Sequence, residues 1–158
     1  MARLYFRGTD AAKLGATFQR EGQLVGKRCL RHMRQVAKLV MDYSVRGAPV
    51  DYKGPKGQGP LHELERSHRI EEQYYNGRIV ASVLVGGMVG AVNVDKYVTY
   101  IHDSFGYNLG KASIAKQNAD PKIRVGPRFL ERALEEFEHE FDDWAEDVYD
   151  ELVGALMG

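Results

Sequence analysis

The chain has 158 residues, with 22 Lys and Arg against 22 Asp and Glu, so its formal net charge is zero. An apolar share of 44% and a charged share of 28% in about one domain's length describe a globular chain and exclude a disordered one. The single cysteine, Cys29, excludes a disulfide framework and a multi-cysteine zinc site, and the zero balance argues against a free-standing nucleic-acid binder.

Met1–Asp10 contains no apolar centre of a secretion signal, so no export is expected. From Asp10 to about Tyr43 the pattern is helical: Val25, Cys29, Met33, Val36 and Val40 recur at steps of three and four and share one face. Lys27, Arg28, Arg31, Arg34 and Lys38 fall largely off that face and give it a basic outer surface. Thr9 suits an N-cap, and Gly15, Gly22 and Gly26 weaken the first half enough to predict bending or fraying. Gly47 and Pro49 end the helix, and the glycine- and proline-rich stretch 47–62 is expected to be a long loop.

Ser67–Tyr75 and Arg78–Val85 are joined by Asn76-Gly77, a pair that accepts the positive φ angles of a type I′ turn. A two-residue turn sets Tyr75 opposite Arg78. The pairs Tyr74 with Ile79, Ile70 with Val83 and His68 with Val85 then lie on one side, which is expected to bury against a helix. The opposite side carries Arg69, Glu71 and Gln73. The longest apolar stretch, around Ile79–Gly90, is far short of the ~18 residues of a membrane span. Gly86, Gly87 and Gly90 break the ribbon, and Ala91–Val94 can return as a third strand. Asp95 is a candidate cap for a short helix through Tyr97, Tyr100 or Ile101, and Phe105, and residues 106–126 read as a second long loop. Pro127 suits a first helical position, and Leu130, Leu134, Phe137, Phe141, Trp144 and Val148 continue as one stripe through to Leu152 and Ala155. This order predicts one α+β domain over 1–158: a long N-terminal helix, an antiparallel sheet built on a β-hairpin, and a long C-terminal helix packed on the same sheet face.

The zero charge is uneven along the chain. Residues 1–46 hold ten basic and three acidic residues, a balance of +7; residues 131–158 hold eleven acids and one arginine, a balance of −10; the middle carries +3. Such polarity fits two oppositely charged helix faces lying side by side, or head-to-tail association of copies.

No arrangement points to catalysis, a metal or a cofactor. His62 and His68 bracket Glu63 and Glu65 without a metal-ligand spacing. His102-Asp103 is half of a dyad without a nucleophile, and Cys29 sits on an apolar stripe. Val85–Gly90 lacks both the G-x-G-x-x-G spacing and the G-K-[ST] ending of a phosphate loop, so its glycines read as a tight turn. The acids of the last helix read as a solvated face or a protein interface rather than a calcium loop. Binding is therefore the expected work of the chain. The alternatives are a small nucleic-acid-binding module that uses the basic N-terminal helix, and a hydrolase that uses His102 and Asp103.

Three segments in order resemble the neck or tail-completion (head–tail joining) proteins of tailed bacteriophages. Ala48-Pro49-Val50-Asp51, with Gly59-Pro60-Leu61 and Ser67, is similar to the family's Ala-Pro-apolar-Asp-Thr-Gly-x-Leu-x-x-Ser segment, although Tyr52-Lys53 stands in place of Thr-Gly. Tyr97–His102 resembles the Tyr-Ala-x-Tyr-Val-Glu/His segment, followed here by Asp103-Ser104-Phe105-Gly106 instead of Gly-Thr. Pro127–Ala133 resembles the Pro-x-Phe-Leu-x-x-Ala start of the last helix. The resemblance implies a non-enzymatic structural protein of the virion neck, made in the host cytoplasm. It would form a ring, commonly sixfold, between the portal or adaptor proteins and the tail terminator or tail-tube proteins. DNA would pass through the lumen without sequence-specific binding, and neither a membrane nor a cofactor is involved. Candidate interface residues are then Arg28, Arg31 and Arg34 on the first helix and Lys111, Lys116, Lys122 and Arg124 in the second loop, the last four together with Arg69 being candidates for touching the portal side or the DNA. On the acidic helix they are Glu135, Glu138, Asp142, Asp143 and Glu146.

Overall fold

The computed structural model of the chain describes residues 8–50, 52–54, 57–58, 62–75, 78–103 and 108–157. Helix α1 spans Gly8–Gly47, 40 residues or about 60 Å at 1.5 Å per residue. It is continuously helical through Gly15, Gly22 and Gly26, and Thr9 lies inside it rather than capping it. Strands β1 (Tyr52–Gly54) and β2 (Gly57–Gln58) follow, then a single turn, α2 (Glu63–Arg66), and the hairpin β3 (His68–Tyr75) and β4 (Arg78–Val85). Next come β5 (Met88–Val89), β6 (Val92–Asn93), a 3-10 turn (Val94–Lys96), α3 (Val98–Asp103) and β7 (Asn108–Leu109). Helices α4 (Lys111–Ala119) and α5 (Phe129–Met157) complete the order.

The architecture is the α+β arrangement expected, with two long helices and an antiparallel hairpin. The hairpin register is also as expected: Tyr75 opposes Arg78, Tyr74 opposes Ile79, Ile70 opposes Val83 and His68 opposes Val85. The Asn76-Gly77 turn itself lies outside the described residues. Helix α1 crosses the hairpin, and α5 runs antiparallel along α1: Tyr43 meets Phe137 edge-on at 5.8 Å, and His32 stacks on Trp144 at 4.3 Å. Leu134 of α5 reaches the same face of β4 as Met33, Val36 and Ala37 of α1, against Ala81 and Val83.

Several local expectations are corrected. Within the segment expected to be a second loop, the described residues 108–126 contain β7 and the nine-residue α4. Within 47–62, β1 pairs antiparallel with both β2 and β7 in a three-stranded sheet. Among the described residues the return after the glycines does not extend the ribbon, and β5 and β6 pair only with each other. Asn93, not Asp95, caps the following turn, its side chain accepting from the Asp95 amide at 3.0 Å. Asp95 Oδ1 instead accepts from the Gly87 amide at 2.7 Å, and this closes the corner where Gly86 has φ 129° and Gly87 φ 92°. A side chain at Gly86 would collide with the Asp95 carboxylate, so the corner needs glycine for space as well as for conformation. Pro127 lies two residues before α5; Arg128, at φ 57°, makes the turn into the helix and donates its amide to the His102 carbonyl at 2.9 Å.

The core lies where five segments meet. Ala48 past the end of α1, Leu64 of α2, Val94, Ile101 of α3 and Phe129 of α5 are buried together. Val85, Val89, Tyr97, Val98 and Leu130 pack against them. The first turns of α5 bury Phe129 and Ala133, one residue earlier than the stripe of Leu130 and Leu134; Leu134 is 53% exposed. The buried face of α5 thus begins about a quarter-turn away from the stripe read along its length, since successive residues lie 100° apart.

Candidate functional site

Three clusters of titratable groups are brought together, and each is used inside the fold. His102 Nδ1 and Asp103 Oδ1 are 2.8 Å apart, so the dyad geometry forms. The imidazole packs edge-on against Phe129 at 5.2 Å, and its Nε2 is buried with no hydrogen-bond partner. Its neighbours in the adjoining groove are Val83, Leu84, Val85, Val98 and Thr99, so the ring sits on an apolar wall. Cys29 is half-buried on α1.

His62 Nδ1 lies 2.7 Å from Glu65 Oε2, while Glu65 Oε1 accepts from Lys116 Nζ. Among the described residues, no group of three or more His, Cys, Asp or Glu could hold a metal ion. Lys116, expected on an interface, turns inward from α4 and also donates to the Val45 and Ala48 carbonyls at 2.7 Å each. Burial pushes the Glu65 carboxyl up, but the hydrogen bonds and charges of Lys116 and His62 outweigh it and hold it below its ordinary value.

His68 projects from β3 into the space between α1 and α2. Its Nδ1 lies 2.9 Å from the Leu64 carbonyl and 3.1 Å from that of Glu65, and its Nε2 lies 2.9 Å from the Ser44 hydroxyl. Two carbonyls accept only, so Nδ1 carries the proton and Ser44 donates to Nε2. Burial lowers the pKa of His68, aided by the charge of Lys116 and opposed by the two carbonyls and Glu65. Both His68 and Glu65 have depressed values. The His68 contribution to stability is therefore full above about pH 6.5, the unfolded value, and is lost as pH falls through the folded one. That of Glu65 is lost at lower pH still. The urea midpoint should decline from pH 7 to 5, and His68→Gln should flatten that decline; an unchanged slope in the variant would contradict the assignment.

The remaining candidates lie on the surface. Arg34 forms a two-pronged ion pair with Glu72 of β3, at 2.6 and 2.9 Å, and so ties α1 to the hairpin. Arg69 Nη1 holds the Gly86 carbonyl at 2.9 Å and its Nε holds Glu71. Arg46 pairs with Asp120 and holds that carboxyl below its usual range, which fastens the end of α1 to the end of α4. Arg28, Arg31, Lys111, Lys122 and Arg124 are exposed, as are Glu135, Glu138, Asp142, Asp143 and Glu146. Lys27, Arg31, Arg34 and Lys38 line one side of α1 with Leu30 and Gln35.

One feature was hidden by the sequence pattern. Between α1, β4 and α5 runs an open apolar groove floored by Met33, Val36, Val40, Ala81, Val83 and Leu134. Phe137 extends it, and Glu135, Glu138 and Asp142 line its α5 side. The signal for it was the second series, Phe129 and Ala133, competing with Leu130 and Leu134 for the buried face.

No helix among the described residues is long and apolar enough to cross a membrane. Compared with family models, with curated proteins and with solved structures, the chain matches none.

Proposed function

We propose that the chain is a non-enzymatic structural protein of the tailed-phage neck. In this reading copies form a ring that joins the portal or adaptor complex to the tail and lets DNA pass. The observation that supports it is the division of charge over a packed helix pair. The outward side of α1 carries Lys27, Arg31 and Lys38, and the outward side of α5 carries Glu138, Asp142, Asp143 and Glu146. A ring needs two different, complementary surfaces on every copy, and a basic and an acidic face meet that need without a second protein. Three ordered segments similar to neck proteins add to it. His102 and His68 both serve packing and internal hydrogen bonds, which fits a role without catalysis.

Negative-stain electron microscopy of the purified chain, alone and mixed with portal and tail proteins of a tailed phage, tests the proposal. Closed rings in either sample are expected. A chain that stays monomeric and binds neither partner overturns it, and steeply salt-dependent DNA binding by that monomer would favour the nucleic-acid reading instead.

A further inference from the structure

We infer that the groove between α1, β4 and α5 receives the outward stripe of α1 from a second copy of this chain. The inference rests on the ring reading above and names its contact surfaces. The groove offers an apolar floor, Val36, Val40, Ala81, Val83 and Leu134, beside the carboxylates Glu135, Glu138 and Asp142. Leu134 is 53% exposed there, although its helical neighbour Ala133 is fully buried.

The matching surface is on the same molecule. Leu24, Lys27, Arg31, Gln35 and Lys38 recur at steps of three and four, so they form one stripe along α1. All are exposed, and Leu24 and Leu39 remain 44% exposed at either end. Apolar residues thus stand among cations on the ridge, as they stand beside carboxylates in the groove. Seating the ridge in the groove would desolvate leucines against valines and set Lys27, Arg31 and Lys38 near Glu138 and Asp142. The complementarity is of both kinds, apolar and ionic, and a self-pairing through only one of the two surfaces would oppose like charges.

Met33, Val36 and Val40 of the groove lie on the opposite side of α1 from the ridge. Each copy therefore presents its two surfaces to two different neighbours, a heterologous contact that gives a ring where its rotation closes and an open filament where it does not. This is the geometry a ring requires, whereas a two-fold dimer would bury one surface against itself.

Sedimentation of the full chain at low salt, with two charge-swapped variants, tests the inference. One variant is K27E/R31E/K38E on the ridge and the other is E138K/D142K in the groove; all five positions are exposed, so both should fold, and circular dichroism checks that they do. Wild type should associate, each variant alone should associate about tenfold more weakly or worse, and an equimolar mixture should regain assembly. It regains it because the acidic ridge of one variant meets the basic groove of the other, and the converse pair also matches. Leu134→Asn should weaken association at every salt concentration, since it removes apolar area and no charge. Rings that form while both variants associate like wild type would overturn this pairing and leave the ring reading standing. A wild-type chain that stays monomeric, with E138K/D142K abolishing capture by a portal protein, would assign the groove to that partner and overturn the inference.

Discussion

Replacing Phe129 by alanine should destabilise the fold by about 3–5 kcal/mol, the range for loss of a buried aromatic ring. Phe129 is 1% exposed and is the largest of the fully buried side chains among the described residues. Its ring contacts His68 at 5.8 Å and His102 at 5.2 Å, and its Cβ lies close enough to Gly47 to leave little room for a side chain there. The cavity would be walled by segments that backbone hydrogen bonds hold apart: the Gly126 amide to the Gly47 carbonyl at 3.0 Å, and the Arg128 amide to the His102 carbonyl at 2.9 Å. Walls fixed in this way collapse poorly, which places the cost high in its range. Phe137, half-buried and packed edge-on against Tyr43, should cost about half as much when truncated, because water already reaches part of its surface. Urea denaturation followed by circular dichroism separates the two. Equal costs would mean that the core is not centred on the junction of α1, α3 and α5.

The parts of this fold that could be read from the sequence are those that depend on neighbours in the chain. Asn76-Gly77 fixed the pairing of eight residues of β3 with eight of β4 because a two-residue turn leaves one register. The long helices followed from apolar spacing. Helix α4 could not be found that way: its sequence KASIAKQNA buries Ser113 and exposes Ile114, the reverse of an apolar stripe. Ser113 is inside because its hydroxyl accepts the Val50 amide at 3.0 Å, a partner 63 residues away. Gln117 is held in the same manner, donating to the Ile123 carbonyl at 2.9 Å and accepting from the Val125 amide at 2.6 Å. Polar side chains that satisfy distant backbone groups leave no periodic mark. The candidate site divides along the same line. The charges on the outward faces of α1 and α5 were legible from spacing, while the groove was not, because Leu134 fitted the buried stripe as well as Phe129 and Ala133 did.

Lys116 gives the second large expectation, and it follows from a proline. In a continuing helix the Val45 carbonyl would accept from the amide of residue 49, but Pro49 has none, so that acceptor is left without its helical partner. Lys116 Nζ supplies the hydrogen bond, takes the Ala48 carbonyl as well, and places its positive charge at the negative end of α1. Glu65 neutralises it, and the two side chains are only 20% and 18% exposed. Lys116→Met keeps the stem and removes the charge; it leaves two carbonyls without their donor and a largely buried carboxylate with His62 as its remaining partner, at a cost of about 2–4 kcal/mol. Glu65→Gln should cost less, about 1–2 kcal/mol, because an amide still accepts from Lys116. In the double variant the losses should not add, the shared pair giving a coupling of about 1–3 kcal/mol. The pH dependence identifies the cause. In the wild type Glu65 is held ionised below its ordinary pKa, so its contribution is present above about pH 4.3 and disappears as pH falls through the lower folded value. Without Lys116, burial is opposed by His62 alone and the carboxyl moves upward. The gap between wild type and Lys116→Met in urea denaturation should therefore be widest near pH 7 and narrow as the solution is acidified through the Glu65 titration. A gap that stays constant with pH would assign the whole loss to the two carbonyls and leave Glu65 without a part in it.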